Sequence, residues 1–168
     1  MRAALREAER GMDEGEAPVG CVIALPDATR PETARIVARG HNRSVALQRA
    51  SAHAEIIAFE NAGGDGQGRP PALPLGVKSA ILVSTLEPCV MCLGAAMESG
   101  VASVLFGLAA PADNGTQRVR PPESPESSAP VIEGGILAGE SRALFERWLE
   151  KNRGTDQAKF VEQLLALT

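Results

Sequence analysis

Two short stretches hold most of the side chains in this sequence that could do chemistry: "ASAHAEIIAFE" at 50–60 and "LEPCVMC" at 86–92. The first carries His53, one of two histidines in the chain, with Glu55 two places later. The second carries Cys89 and Cys92, two of the three cysteines. Cys89 and Cys92 stand at i and i+3 beside a helix start, so both sulfurs can point to one side of the first turn. A helix N-terminus favours thiolates, because the macrodipole and unpaired N–H groups stabilise negative charge there. Two thiolates and an imidazole suit zinc, and three protein ligands with one open position describe a catalytic rather than a structural site. His53 is the natural third ligand.

Glu55 raises a geometric objection, since residues i and i+2 of a regular helix lie about 200° apart. The objection disappears if His53 sits at the helix edge, where dihedrals are not yet helical, so that ring and carboxylate converge on one place. Glu55 then serves best as an acid and base, taking a proton from a metal-activated water and returning it to the substrate. The backbone N–H of Cys89 can help stabilise negative charge on oxygen in the intermediate.

These residues need a scaffold. Apolar positions Ala4, Leu5, Ala8 and Met12 give a helix over about 1–14, ended by Gly15 and Pro18. "VGCVIAL" at 19–25 and "ARIVARG" at 34–40 read as two strands joined by a loop, and "SAHAEIIAFENA" as a helix closed by Gly63 and Gly64. Residues 63–76, rich in Gly and Pro, form a loop. "SAILVST" at 79–85 is a buried strand, with Pro88 opening the next helix and "VASVLFG" supplying a further strand. An irregular Pro-rich loop follows at about 108–130. "VIEGGIL" is a candidate short last strand, and helices fill the chain from about 139, the final one after a break at Gly154. This alternation indicates an α/β layered domain, with parallel strands where helices intervene and an antiparallel first pair.

The 168 residues suit one domain, 1–168, and the 44% apolar and 23% charged fractions are ordinary for a globular chain. No apolar run is long enough to cross a bilayer and the charged N-terminus has no h-region, so the expected location is cytoplasmic with no membrane partner. Three cysteines in that setting argue for metal binding or packing over disulfides. A net charge of −4 and an aromatic fraction of 3% offer neither a global attraction for phosphates nor many stacking platforms.

His53-Ala54-Glu55 followed by Pro88-Cys89-Val90-Met91-Cys92 is the H-x-E and P-C-x-x-C arrangement of zinc nucleobase deaminases. The longer "TLEPCVMCLGA", with "MRAAL", "EAPVGCVIA", "HNRS" and "VLFG", resembles the cytidine deaminase-like superfamily over about residues 1–107. Within it the likeness is to the TadA-type tRNA adenosine deaminases and the guanine deaminases. The resemblance implies a three-layer α/β/α domain with a mixed five-stranded sheet, a homodimer, and one zinc per chain on His53, Cys89 and Cys92. It further implies Glu55 as proton shuttle and Asn42 as a hydrogen-bond partner of the substrate base.

The reaction so implied is hydrolytic removal of an exocyclic amine, with ammonia released. A purine is favoured: adenosine within a tRNA anticodon loop, placing the chain in tRNA processing, or a free base or nucleoside, placing it in purine metabolism. A cytosine or cytidine deaminase is the alternative. From 108 to 130 the chain lacks the Lys-Thr-Gly-rich segment of tRNA-acting members, and "HNRS" replaces their Trp-Asn-Arg-Pro pattern, which leaves the substrate open.

Other readings stand beside these. A non-catalytic zinc-binding subunit would want a fourth protein ligand. Only Cys21 is spare, and its apolar strand favours core packing. A redox C-x-x-C protein would form a Cys89–Cys92 disulfide. His41 either borders the pocket or is structural. Phe145 and Trp148 are expected to anchor the last helices, and Arg118 and Arg120, near Glu123 and Glu126, to lie on a solvated surface.

Overall fold

The computed structural model describes residues 1–30, 32–63, 71–74, 77–121, 123 and 127–168. The chain runs α1 (Arg2–Asp13), β1 (Gly20–Pro26), β2 (Ala34–His41), α2 (Ala54–Ala62), β3 (Ala80–Leu86), α3 (Val90–Glu98), β4 (Val101–Leu108), β5 (Val131–Glu133), α4 (Ala138–Asn152) and α5 (Asp156–Leu167). The five strands form one mixed sheet in the order β2-β1-β3-β4-β5. β1 is antiparallel to both β2 and β3, whereas β3–β4 and β4–β5 are parallel. This is the expected mixed sheet.

Alternation along the strands sorts the side chains into two layers. Cys21 and Ile23 of β1 and Leu82 of β3 face Ala54, Ala58 and Ala62 of α2 and Leu93, Ala96 and Met97 of α3. Val22 and Val83 point the other way, onto Ala4 of α1. On that second face α4 packs over β4 and beside α1. Its Phe145, Trp148 and Leu149 form a core with Ala158, Val161 and Leu164 of α5. Trp148 and Phe145 thus anchor the last helices, as expected.

The depth at which α2 sits matters most for the site. Gly40 of β2 lies under it, and a Cβ there would come within 2.5 Å of the Ala58 amide nitrogen. Glycine therefore lets the α2 backbone rest directly on the sheet, which carries His53 and Glu55 toward the ends of β1 and β3. Cys21 is fully buried and pairs in register with Ser84. It is a core residue, and burial pushes its thiol pKa up.

The loop expected over 63–76 lies largely outside the described residues, as do Gly64 and Glu126. "VIEGGIL" is a strand for only its first three residues; Gly135 and Leu137 take left-handed dihedrals, turning the chain into α4. No helix among the described residues is long and apolar enough to cross a membrane.

Candidate active site

His53 and Cys89 are both N-cap residues with extended dihedrals, φ −71° and ψ 155° at His53 and φ −70° and ψ 175° at Cys89. Neither side chain caps its own helix, which leaves ring and sulfur to face each other across the gap between the two helix starts. Cys92, at the third helical position of α3, completes the group. His53 Nδ1 lies 3.5 Å from Cys89 Sγ and 3.6 Å from Cys92 Sγ, and the sulfurs are 3.6 Å apart. With zinc–sulfur bonds of about 2.3 Å and zinc–nitrogen bonds of about 2.0–2.1 Å, a tetrahedral centre requires ligand separations of about 3.5–3.8 Å. The donor set fits that ion. Among the described residues these three form the group able to hold a metal.

The electrostatics of the group follow from its crowding. The contact with Cys92 lowers the Cys89 pKa, partial burial opposes the shift, and the contact with His53 lowers it further. The contact between the sulfurs raises Cys92, with burial and the nearby Glu55 carboxylate adding to it. The bond to Cys89 raises the His53 pKa, while partial burial opposes the shift.

Glu55 is 3% exposed, in the first turn of α2. Ser84 donates to its Oε1 at 2.6 Å, and Oε2 lies 3.3 Å from Cys92 Sγ. The carboxylate is therefore oriented from the sheet side and brought up against the ligand group, as the N-cap position of His53 allows. A cleft of about 220 Å³ opens onto this cluster. Val19, Leu86 and Phe160 supply apolar walls, and Asn42, Ser44 and Asp113 polar ones.

Asn42 is placed by a residue the sequence reading missed. Glu16, fully buried, accepts from Asn42 Nδ2 at 3.0 Å and from the backbone N–H groups of Val45 and Ala46 at 3.2 and 2.8 Å. Because a carboxylate only accepts, this contact fixes which end of the amide faces it. Ser44 donates to Asn42 Oδ1 at 3.3 Å, so a second N–H and a second lone pair remain for a ligand. Ser84, Glu87, Asp113 and the α5 residues Gln157 and Phe160 were likewise missed. His41 turns instead to α1, 3.2 Å from Glu14, and lines a separate hollow. Arg118 is exposed and donates to the Ala112 carbonyl.

Residues 1–108 match the family profile described as the cytidine and deoxycytidylate deaminase zinc-binding region. The tRNA-specific adenosine deaminase of Bacillus subtilis is 36% identical over 110 residues, 64% of this chain and 58% of that protein. The same-named protein of Streptococcus pyogenes serotype M3 is 27% identical over 168 residues, 98% of this chain and 89% of its own length. The chain also matches 23% of the length of a Deinococcus radiodurans tRNA(Ile)-lysidine synthase, at 34% identity over 86% of this chain. It thus spans less than two thirds of two of these relatives. Among solved structures, one from studies of A-to-I editing by tRNA:A34 deaminases superposes with a TM-score of 0.67 at 27% identity, covering 86% of this chain and 96% of that one. The guanine deaminase of Nitrosomonas europaea shares the fold, with a TM-score of 0.63 at 22% identity over 88% of this chain and 81% of its own.

Proposed function

Since the chain belongs to the cytidine and deoxycytidylate deaminase zinc-binding family, we propose that 1–168 is one zinc-dependent domain that hydrolytically removes an exocyclic amine from a nucleobase. A purine is the favoured substrate. The observation that carries this reading is the placing of the Glu55 carboxylate beside a three-donor zinc site at the foot of a cleft. His53, Cys89 and Cys92 hold the metal. When bound, zinc supplies the Lewis acidity that makes water a nucleophile near neutral pH.

The protein's own groups do the rest. Glu55, held by Ser84, accepts one proton of the attacking water and delivers it to a ring nitrogen, then takes the second water proton from the added hydroxyl and delivers it to the departing amine. The new C–O bond replaces the C–N bond, the base keeps an oxo group, and ammonia leaves. The Cys89 N–H, at the start of α3, faces negative charge developing on oxygen. Asn42 offers the base its remaining N–H and lone pair, which orients the ring against Val19, Leu86 and Phe160.

Adenosine in a tRNA anticodon loop and a free base or nucleoside are the two forms of purine substrate to separate. The relatives named tRNA-specific adenosine deaminase support the first. The absence of the Lys-Thr-Gly-rich segment after Leu108 supports the second. Ammonia release from guanine, cytosine, adenosine, cytidine and an anticodon stem-loop decides the substrate. Turnover of cytosine or cytidine alone would replace the purine reading with the cytosine or cytidine alternative, for which the family's description gives a specific ground. Inactivity of zinc-loaded protein on the whole panel would overturn the function.

We read the chain as a cytoplasmic homodimer with no membrane partner, to be tested by sedimentation. A closed structural zinc site is disfavoured because Cys21 lies in the core, outside the ligand group. Zinc absorption spectra with two sulfurs, one imidazole and one exchangeable light atom would support the open site, and a four-protein-ligand shell would reject it.

A further inference from the structure

Residues 109–119 belong to the stretch that reads as an irregular surface loop, yet they are stitched to the turn that carries Cys89. Glu87, 7% exposed, is the centre of the stitching. Its backbone N–H donates to the Leu108 carbonyl at 2.8 Å. Its carboxylate accepts from the Ala110 N–H at 2.8 Å through Oε2 and from the Thr116 hydroxyl through Oε1. One residue further on, the Pro88 carbonyl accepts from the Gly115 N–H at 2.7 Å. The contact there is backbone against backbone: a Cβ on Gly115 would stand 2.5 Å from the Cys89 carbonyl oxygen and 2.7 Å from its carbon.

The segment itself is ordered by two turns. Asp113 N–H bonds back to Ala110, and the Arg118 and Val119 N–H groups bond back to Gly115. Asn114 is buried and donates to the Pro111 carbonyl, Arg118 braces Ala112, and Val119 packs against the hydrophobic core. At the end of the first turn, Asp113 stands on the rim of the cleft with Cys89.

We propose that residues 109–119 are a wall of the catalytic cleft, and that Glu87 is the positioning residue that locks this wall to the Pro88–Cys89 turn. A shift of the wall is then a shift of the Cys89 carbonyl, the first acceptor of α3, and so of the sulfur beside it. The same shift moves Asp113 relative to whatever base enters. Groups that orient metal ligands from outside the ligand set carry this kind of sensitivity.

The activity arm of the test rests on the deaminase reading, and the zinc arm does not. Thr116→Val removes the hydroxyl that meets Glu87, Thr116→Ser keeps it, and Gly115→Ala drives a methyl into the Cys89 carbonyl without touching any charge. On zinc-loaded protein shown folded by circular dichroism, transfer of zinc to a competing chelator is measured beside KM and kcat. Thr116→Val and Gly115→Ala are expected to loosen zinc by about 10- to 100-fold and to raise KM more than they lower kcat, with Thr116→Ser returning both toward wild type. Folded variants that hold zinc within about twofold of wild type overturn the proposal, whatever their activity. Should wild type release no ammonia from any base, the deaminase reading fails, while the zinc comparison still decides whether the wall is positioned as described.

Discussion

The Ser84 hydroxyl donates to Glu55 Oε1 across 2.6 Å inside the protein, joining the middle of the sheet to the carboxylate at the foot of the cleft. Ser84 is fully buried and pairs in register with Cys21, so water cannot replace it from the sheet side. Replacing it by alanine leaves a buried carboxylate oxygen without that donor, at a cost of about 1–3 kcal/mol. Ser84→Ala is expected to lower stability to urea by that amount and to reduce kcat by about tenfold, with KM little changed. Equal loss through KM would show that Ser84 acts on binding instead.

Glu16 carries a larger structural load, because three donors converge on one buried carboxylate. Glu16→Ala strands the N–H groups of Val45 and Ala46 and frees the Asn42 side chain. Thermal and urea unfolding are expected to show a loss of about 3 kcal/mol, accompanied by a rise in KM. A rise in KM after Asn42→Ala, with a smaller stability loss because the two backbone donors to Glu16 stay in place, separates the two contributions.

Zinc binding should be coupled to protons in a definite direction. In the zinc-free protein the contact with Cys89 raises the Cys92 pKa, with burial adding to it, and the bond to Cys89 raises the His53 pKa. The metal needs both as unprotonated ligands, so calorimetry in buffers of different ionisation enthalpy should report release of roughly one to two protons per zinc near neutral pH. The sign on stability follows. The raised His53 pKa stabilises zinc-free protein below the ordinary histidine value, and that increment is lost as pH rises through the folded value. The stability gained on adding zinc should therefore grow from about pH 5 to pH 8, as urea midpoints with and without zinc would show.

The parts of this site that are legible in the sequence are those made by local spacing. Cys89 and Cys92 sit one turn apart beside a proline that opens a helix, and that alone brings their sulfurs together. His53 and Glu55 become compatible once His53 is an N-cap, as its dihedrals confirm. The strand and helix assignments followed from period and from Gly and Pro punctuation for the same reason. What stayed hidden depends on contacts between distant segments. Glu16 lies in a charged N-terminal stretch that resembles a solvated face, yet its partners stand 26 to 30 residues away. Ser84 looks like filler in an apolar strand, and its partner is 29 residues off. Glu87 and Gly115 turn a Pro-rich stretch into a fixed wall through bonds that no periodicity announces. Phe160 reaches the cleft only because α5 folds back over α4.

The central claim is that Glu55 moves protons at a zinc site built by His53, Cys89 and Cys92. The most direct test compares ammonia release by wild type and Glu55→Ala on the best substrate, both loaded with one zinc per chain. The variant is expected to keep its metal and lose about 10² to 10⁴ of the rate. Turnover equal to wild type with zinc in place would contradict the account.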